Sequence, residues 1–366
     1  MQFPFTPLVE TLPSSVPFVG PEALERRTGT RFRARIGANE NVFGPSPKVI
    51  AAIAAAAPDA WKYCDPENHD LRAALAAHLG VTPENVMVGE GIDGLFGLAV
   101  RLFVEPGVAV ATSLGAYPTF NFHVNGFGGR LVTTPYANDR EDPAALLDLA
   151  RREKARLIYF ANPDNPMGSW WDAATVEKMI GGLPDGAFLM LDEAYGEFAP
   201  EGTLPPLDVS NPQVLRFRTF SKAYGLAGMR LGYCVGHAEL IRAFDKIRNH
   251  FGITRLGQAA GIAALSDQDH LRSVVARVKE GRDGIARIAA ANGLRPLPSA
   301  TNFVAIDCGR DGDYAKRVLD ALVASGVFVR MPGVAPLNRC IRVTAGTSED
   351  LEILAEELPK ALKAAG

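Results

Sequence analysis

The feature that most constrains the fold is a regular alternation of short apolar segments with stretches of helical length between residues 86 and 236. Strands separated by a helix's length are typical of a parallel sheet whose two faces are both covered. The apolar segments are residues 86–88, 108–112, 130–134, 156–160, 187–192, 214–218 and 230–236. The sequence therefore predicts an α/β fold with a large domain, in which helices cover a mostly parallel sheet.

The pattern changes after residue 237. Helical stretches near 237–250, 255–266 and 268–292 precede a mixed segment, with strands near 301–307, 327–330 and 340–344 and helices near 313–324 and 348–364. At roughly 150 residues per domain, a chain of 366 residues suggests two domains. We expect a Pro-rich, non-periodic N-terminal arm at residues 1–35, a large domain at 36–250 and a smaller C-terminal α+β domain at 251–366.

Composition excludes several classes of protein. The chain is 47% hydrophobic and 22% charged with a formal net charge of −3, which is typical of a soluble globular protein and provides no basic patch for nucleic acid or anionic membrane. No apolar run is long enough to span a membrane, and the N-terminus lacks the pattern of a signal peptide, so we expect a cytoplasmic protein. The four cysteines and six histidines are scattered, which predicts neither disulfides nor a metal site.

GEGIDG at residues 89–94 follows a predicted strand and opens a predicted helix, so it matches the glycine-rich dinucleotide motif. The acidic residue that this motif requires on the next strand is missing, and the motif does not lie in the first strand-helix unit. Glycines at a helix N-terminus still let a phosphate approach backbone N–H groups. The motif therefore favours a single phosphate, with a dinucleotide or a structural turn as the alternatives.

Two polar segments follow predicted strands, at the edge where a parallel sheet binds ligands. Asp192, in LDEAY, ends an apolar strand, and a carboxylate buried there needs a cation or an N–H group as its partner. The other segment is NPDNPMG at residues 162–168. Taken alone, Asp192 equally indicates a helix cap, and the Asn and Pro residues favour a tight turn.

RTFSKAYGLAGMRLGY at residues 218–233 concentrates groups that bind a phosphate beside an amine. Thr219 and Ser221 precede Lys222, and Arg230 follows after a loop of small residues. A single lysine is usually a solvated surface charge, but hydroxyls and an arginine near it form a phosphate clamp. Pyridoxal phosphate needs this combination, because its aldehyde takes a Schiff-base lysine, its ring nitrogen an acidic partner, and its phosphate amides and an arginine.

Six motifs in this order make the chain resemble the fold-type I aminotransferases of class I and II, and most closely their histidinol-phosphate aminotransferase branch. They are GANENVFGPSP (37–47), GEGIDG (89–94), NPDNPMG (162–168), LDEAY (191–195), SKAYGLAGMRLGY (221–233) and IRVTAGT (341–347). The resemblance implies a homodimeric enzyme that binds pyridoxal 5′-phosphate in the large domain. It also implies transfer of an amino group from a small-molecule donor to a 2-oxo acid, with 2-oxoglutarate expected.

The resemblance assigns roles to the residues that carry this chemistry. Lys222 is implied to hold the cofactor as a Schiff base and, once displaced by substrate, to move the proton between Cα and the cofactor's C4′. Asp192 is implied to keep the pyridine nitrogen protonated. Tyr195 and Asn165 are implied to hydrogen-bond the ring's O3′, and Tyr117 to stack on the ring.

The resemblance also implies ligands for the cofactor's phosphate and for the substrate. The expected phosphate ligands are the Gly91 turn with the backbone N–H groups of Ile92 and Asp93, the side chains of Thr219, Ser221 and Arg230, and Tyr63 from the neighbouring subunit. The expected substrate ligands are Arg342, which grips the α-carboxylate, with Arg330 and Asn39. The alternatives left open are that Tyr63 and Tyr117 are core or interface aromatics, that Arg342 is a surface residue and that Glu40 positions backbone.

The substrate is where the chain departs from the family pattern. Arg330, in FVRMPG, matches an arginine that the family uses for the phosphate of histidinol phosphate, but Phe18 stands where the family often has a phosphate-binding tyrosine. GEGIDG also lacks the usual Ser-Asp-Glu run. Histidinol phosphate is the favoured amino donor, and an aromatic or other α-amino acid is the alternative.

Three other activities remain open at this point. A decarboxylase of the same fold, acting on a phosphorylated amino acid, would use the same Lys222 and Asp192 but break a different bond at Cα. A non-catalytic cofactor-binding sensor is a second possibility. GEGIDG leaves a nicotinamide-dependent dehydrogenase as the third.

Overall fold

The computed structural model describes residues 3–14 and 18–366. The helices of this part of the chain are α1 (Pro7–Thr11), α2 (Pro21–Thr28), α3 (Pro47–Ala56), α4 (His69–Leu79), α5 (Gly91–Phe103), α6 (Pro118–Gly126), α7 (Pro143–Glu153), α8 (Ala173–Gly181), α9 (Ala238–Phe244), α10 (Arg255–Leu265), α11 (Gln268–Ala291), α12 (Gly312–Ala324) and α13 (Ser348–Ala365). The strands are β1 (Ala34–Arg35), β2 (Val86–Glu90), β3 (Ala109–Ser113), β4 (Arg130–Thr134), β5 (Leu157–Ala161), β6 (Phe188–Asp192), β7 (Val214–Thr219), β8 (Leu231–Gly236), β9 (Arg295–Pro296), β10 (Phe303–Asp307), β11 (Val327–Phe328) and β12 (Cys340–Thr344).

The large domain is built on a seven-stranded sheet with the order β2-β8-β7-β6-β5-β3-β4. Strands β3 to β7 run parallel, while β8 is antiparallel to both of its neighbours. Side chains alternate along each strand, so Leu157 and Tyr159 pack on the face covered by α5 and α6, and Ile158 and Phe160 pack on the face covered by α7 and α8. The predicted mostly parallel sheet, covered by helices, is confirmed.

The smaller domain has an antiparallel sheet of order β12-β10-β9. Helices α11, α12 and α13 pack on this sheet around a core that includes Ile285, Val304, Val318 and Leu354. Strand β1 pairs in parallel with β11, so the chain just before the large domain also packs into this core. The predicted C-terminal α+β unit is confirmed.

Several boundaries differ from the sequence expectation. Residues 1–35 were expected to be non-periodic, yet α1 begins at Pro7 after a Thr6 cap, and α2 ends at a left-handed Gly29. Helix α9 ends at Phe244 instead of residue 250, and i to i+3 turns follow it. Helix α10 packs on α3 and α4 of the large domain, so we infer that it belongs there, whereas the boundary at residue 250 stays a prediction. None of the helices within residues 3–14 and 18–366 has the length and apolar character needed to cross a bilayer.

Candidate active site

A cavity of about 300 Å³ lies where the carboxyl ends of β5, β6 and β7 and the N-terminus of α5 face the smaller domain. Ligand sites of open α/β sheets are found at this end of the strands. The predicted site residues that line the cavity are Asn39, Ile92, Asp93, Tyr117, Asn165, Asp192, Tyr195, Thr219, Ser221, Lys222, Arg230, Arg330 and Arg342. Motifs that are far apart in the sequence therefore meet at one place.

Lys222 is the amine of the cavity. Its Nζ donates a hydrogen bond to the backbone oxygen of Asn39 at 3.0 Å and lies 5.8 Å from the centre of the Tyr195 ring. Burial, together with the positive charge of Arg342, lowers the pKa of Lys222 to about 8. A larger fraction of the amine is therefore neutral and nucleophilic near pH 7 than for a solvated lysine.

Asp192 is the buried carboxylate of the cavity, and both of its oxygens accept hydrogen bonds. The phenol of Tyr159 donates to Oδ2 at 2.6 Å, and the backbone N–H of Ala194 donates to Oδ1 at 2.9 Å. Burial raises the pKa of Asp192 to about 6, while these two hydrogen bonds limit the rise. The carboxylate therefore remains mostly ionised at neutral pH.

The turn at the start of α5 forms a cradle that no larger side chain would fit. Gly91 has φ +70°, and a Cβ there would lie 2.6 Å from Nη2 of Arg230. Gly232 on β8 packs as closely against the other side of the turn, since a Cβ there would lie 2.7 Å from the backbone nitrogen of Ile92. Arg230 and the first N–H groups of the helix, which have no acceptor within the helix, thus face the same end of the cavity.

Asp93 stands at this end as well. Its Oδ2 is 3.7 Å from Nη2 of Arg230, and its buried Oδ1 has no hydrogen-bond partner among the described residues. Behind the cradle, Thr219 accepts a hydrogen bond from the backbone N–H of Ser221 at 3.0 Å, which fixes the turn that precedes Lys222. The hydroxyls, amides and arginine make this end suitable for an anion.

Asn39 and Asn165 form hydrogen bonds with a tyrosine and an arginine of the cavity, respectively. The Asn39 amide donates to the Tyr195 hydroxyl at 2.8 Å, and its backbone N–H donates to Thr344 Oγ1 at 3.1 Å. Arg342 Nη1 donates to Asn165 Oδ1. Both asparagines thus orient groups that face the cavity, in addition to facing it themselves.

Arg330 and Arg342 lie directly opposite each other in an antiparallel bridge. The backbone N–H of Arg330 donates to the oxygen of Arg342 at 3.2 Å, and the reverse bond measures 2.6 Å. Both side chains line the cavity, and within the described residues neither has a carboxylate within 4.0 Å. Two guanidinium groups without a carboxylate within that distance make this end of the cavity suitable for an anion.

Two aromatic rings of the cavity lining lie close to Arg330. Tyr117 stacks on Phe18 with 6.0 Å between the ring centres, and the Arg330 guanidinium lies 5.1 Å from the centre of the Phe18 ring. Arg330 Nη2 donates to the backbone oxygen of Val19 at 2.7 Å. The segment at residues 18–19 therefore helps to hold Arg330 in place.

Two of the predicted site residues do not line the cavity of their own chain. Gly91 lies beneath Arg230, as described above. Tyr63 is 78% exposed, and its ring packs on Phe251 with 4.8 Å between centres. Sequence reasoning also missed Asn302, whose side-chain amide donates to the backbone oxygen of Asn39 at 3.0 Å. It missed Tyr159 as well, although the alternation along β5 places Tyr159 on the same face as Ala161, whose neighbour on β6 is Asp192.

Comparison with known proteins settles the family. The family model described as aminotransferase class I and II matches residues 35–358. The chain belongs to the class I and II aminotransferases. This aminotransferase is 37% identical over 351 residues to a histidinol-phosphate aminotransferase of Anaeromyxobacter sp., and the alignment covers 94% of this chain and 95% of the relative.

Solved structures of other aminotransferases have the same fold as this aminotransferase. A histidinol-phosphate aminotransferase from Sinorhizobium meliloti, in complex with pyridoxal-5′-phosphate, is 57% identical with a TM-score of 0.97, over 100% of this chain and 99% of that one. The aspartate aminotransferase of Thermus thermophilus with maleate has a TM-score of 0.82 at 24% identity, over 99% of this chain and 100% of that one, which shows the fold alone. The predictions of fold class and of an aminotransferase are confirmed, and the role of each residue stays a prediction.

Proposed function

We propose that this aminotransferase uses pyridoxal 5′-phosphate to transfer the amino group of histidinol phosphate to 2-oxoglutarate. The observation that carries the proposal is the content of one cavity: an amine of lowered pKa, a buried carboxylate and two arginines that have no carboxylate within 4.0 Å in the described part of the chain. The relatives from Anaeromyxobacter sp. and Sinorhizobium meliloti, both named histidinol-phosphate aminotransferases, support the choice of donor.

The residues present fit the cofactor. The Gly91 cradle and Arg230 suit a phosphate, and Asp192 suits a protonated ring nitrogen. Lys222 is the amine within reach of the same cavity, and its lowered pKa favours attack on an aldehyde. When bound, pyridoxal phosphate withdraws electrons from the substrate's Cα and so makes the Cα proton removable.

The chain's own residues supply binding and proton transfer. Lys222 Nζ, once released, would be the base that takes the proton from Cα and the acid that delivers it to C4′ of the cofactor. Asp192 would hold the proton of the ring nitrogen, while Tyr195 and Asn165 would donate hydrogen bonds to the ring oxygen. Tyr117 would cover the ring face.

The arginine pair explains how one site takes both substrates. Histidinol phosphate carries a phosphate monoester with about two negative charges near pH 7, and 2-oxoglutarate carries two carboxylates. Arg330 and Arg342, from adjacent bridged positions, offer two guanidinium groups to each of them in turn. Phe18 takes the place of a possible hydroxyl donor, so the arginines bind the phosphate without it.

Kinetics with matched donors test this substrate. Histidinol phosphate, histidinol, phenylalanine and tyrosine are each assayed with 2-oxoglutarate, and histidinol phosphate is expected to give the highest kcat/KM. Arg330→Met should lower kcat/KM for histidinol phosphate by about tenfold to a hundredfold, the loss of one hydrogen bond between charged groups, with little change for histidinol. Activity restricted to unphosphorylated donors would refute the choice of donor.

Cofactor attachment is tested separately. The protein with bound pyridoxal phosphate should absorb near the visible edge, and borohydride should abolish that band. Lys222→Ala should lack the band, and its persistence in this variant would contradict the assignment of Lys222. Lys154→Ala is a matched control, since Lys154 lies at the C-terminus of α7 and does not line the cavity.

We also propose a cytoplasmic homodimer in which Tyr63 completes the phosphate site of the neighbouring subunit. Support comes from a surface of exposed apolar side chains, with Trp61 81% exposed and Tyr63 78% exposed, next to Phe251. Tyr63 does not line its own cavity. The free, buried cysteines suit a reducing compartment.

Hybrid dimers test the shared site. Tyr63→Ala and Lys222→Ala chains, each poorly active alone, are mixed, dissociated and reassociated. If Tyr63 serves the neighbouring subunit, a hybrid contains one site with both wild-type residues, and activity rises above that of either parent. No gain in a verified hybrid would place Tyr63 in its own site or outside any site.

A further inference from the structure

Tyr159 lies directly behind Asp192 and does not line the cavity. It is fully buried on β5, beside the strand that ends at Asp192, and its hydroxyl donates to Asp192 Oδ2 at 2.6 Å. The backbone N–H of Ala194 holds Oδ1 at 2.9 Å. With one donor on each oxygen, the plane of the carboxylate is fixed, and each oxygen keeps a lone pair for a partner in the cavity.

Two buried rings hold the phenol in this position. The Phe120 ring stacks on Tyr159 with 4.4 Å between centres and 17° between planes. Phe96 packs edge-on against it, with 5.5 Å between centres and 87° between planes. Because all three rings are fully buried and close-packed, the hydroxyl cannot turn to another acceptor without opening the core.

We propose that Tyr159 is a positioning residue, which orients the Asp192 carboxylate and lowers its proton affinity so that it stays ionised towards the cavity. The inference rests on the proposed function, because it takes Asp192 as the partner of the cofactor's ring nitrogen. Tyr159 itself touches neither cofactor nor substrate and acts through Asp192.

The electrostatic surroundings explain why such a donor is needed. Burial raises the pKa of Asp192 to about 6, and the Tyr159 hydrogen bond is the largest influence in the opposite direction. Burial also raises the pKa of Tyr159 well above its usual value, so the phenol keeps its proton and remains a donor. Other titratable groups surround Asp192 from several elements. They are Asp93 from α5, Tyr117 before α6, Glu141 and Asp164 from the loops that flank α7 and β5, Glu193 and Tyr195 from the segment after β6, and Lys222, Arg230 and Arg342 across the cavity.

The charged groups with the largest influence on Asp192 are the carboxylates of Asp93 and Glu193, and both disfavour a further negative charge. Removal of the phenol O–H therefore leaves Asp192 with one N–H donor against burial and these neighbouring carboxylates. The expected result is a higher pKa of Asp192, so that more of the carboxyl group is protonated near neutral pH. Its protonated form is a poor partner for a protonated ring nitrogen.

The test is the titration of Asp192 in the cofactor-free protein, followed by the infrared band of the protonated carboxyl group. Asp192→Asn identifies this band among those of other buried acids. Tyr159→Phe keeps the ring and removes only the hydroxyl, and it should shift the midpoint upward by about 1 pH unit or more, the effect of one hydrogen bond to a charged group. Tyr136→Phe is the matched control, because Tyr136 donates to a different buried carboxylate, Asp164, at 2.7 Å. Loss of that hydrogen bond favours the protonated form of Asp164, and a less negative Asp164 cannot raise the pKa of Asp192.

A second substitution works in the opposite direction. Fluorotyrosine at position 159 keeps the ring and makes the phenol a stronger donor, so the Asp192 midpoint should move to lower pH. In the enzyme with bound cofactor, the acid limb of the pH profile of kcat should move with the midpoint in both variants, whereas the acid limb of Tyr136→Phe should not move to higher pH.

Equal midpoints in wild type, Tyr159→Phe and the fluorotyrosine protein would overturn the inference, as would the same shift in Tyr136→Phe. Should Tyr159→Phe not fold, the fluorotyrosine protein decides alone. Failure of the wild type to bind pyridoxal phosphate would instead refute the proposed function, so the two failures are distinguishable.

Discussion

Glu193, next to Asp192, forms the most buried ion pairs of the large domain among the described residues. Removing its charge tests how much these buried ion pairs contribute to the stability of the fold. The side chain is fully buried, and it accepts from Arg216 Nη2 at 2.6 Å and Nε at 3.0 Å and from Arg218 Nε at 2.9 Å. Arg216 is 4% exposed and Arg218 19% exposed. The three charges join β6 to β7, the two strands that end at Asp192 and Thr219.

Glu193→Gln keeps the size of the side chain and removes its charge. Arg216 then stays buried without a carboxylate partner, while Arg218 keeps only the nearby Glu197, and at least one of the three hydrogen bonds is lost. Breaking a buried pair in this way costs about 3–5 kcal/mol, because the remaining charge is neither paired nor hydrated. An exposed ion pair contributes about 0–1 kcal/mol, since water solvates the separated charges.

The assay is thermal unfolding of the cofactor-free protein at one protein concentration and pH, so that binding and assembly do not differ between variants. Glu193→Gln should lower the melting temperature by about 5 °C or more. Asp148→Asn is the control, because Asp148 pairs with Arg151 at 2.9 Å while 76% exposed, and it should change the melting temperature little. Equal effects of the two substitutions would refute the argument that burial sets the cost.

Three further outcomes follow from the site and the acids around it. Asn39 has φ +56°, a left-handed conformation that glycine adopts more easily than alanine, and both substitutions lose the hydrogen bond to Tyr195. Asn39→Ala should therefore be less stable than Asn39→Gly by about 1 kcal/mol in urea unfolding, and equal stability would show that the backbone strain is absent. The rate at which the cofactor-free protein combines with pyridoxal phosphate should rise with pH, with a midpoint at about pH 8, where Lys222 loses its proton. Arg342→Met should move this midpoint to higher pH, and an unmoved midpoint would contradict the influence of Arg342 on Lys222. Burial raises the pKa of Glu141 above the 4.5 of the unfolded chain, so its stabilising contribution is complete below pH 4.5 and is lost as the pH rises through the folded pKa. Glu141→Gln should therefore have a higher melting temperature than wild type at neutral pH, and the difference should close in acid. A difference that does not change with pH would contradict this.

The sequence was sufficient for the parts of the site that local rules determine. Asp192 and Thr219 end adjacent parallel strands, and Gly91 opens the helix after β2, so strand and helix signals placed these motifs at one end of the sheet. Helices α1 and α2 were not predicted, because they are short and bury few apolar side chains, so their sequences show little helical periodicity.

Contacts that depend on strand order could not be predicted in this way. Tyr159 and Asp192 are 33 positions apart, and they meet only because β5 pairs with β6 in a particular register. The bridge from Arg330, which follows β11, to Arg342 of β12 equally depends on a pairing of distant segments. A single sequence gives the identity of such residues but not the register that brings them together.

Asn39 shows why the two walls of the cleft cannot be treated as independent. Its backbone oxygen accepts hydrogen bonds at 3.0 Å from Lys222 of the large domain and at 3.0 Å from Asn302 of the smaller one. Its N–H is held by Thr344 of the smaller domain, while its side chain holds Tyr195 of the large one. The acceptor on which the Lys222 amine rests is therefore fixed by contacts with both domains, so any displacement of one against the other moves that acceptor or breaks its hydrogen bonds. The position of the amine is in this sense a property of the contact between the domains as well as of the motif that carries the lysine.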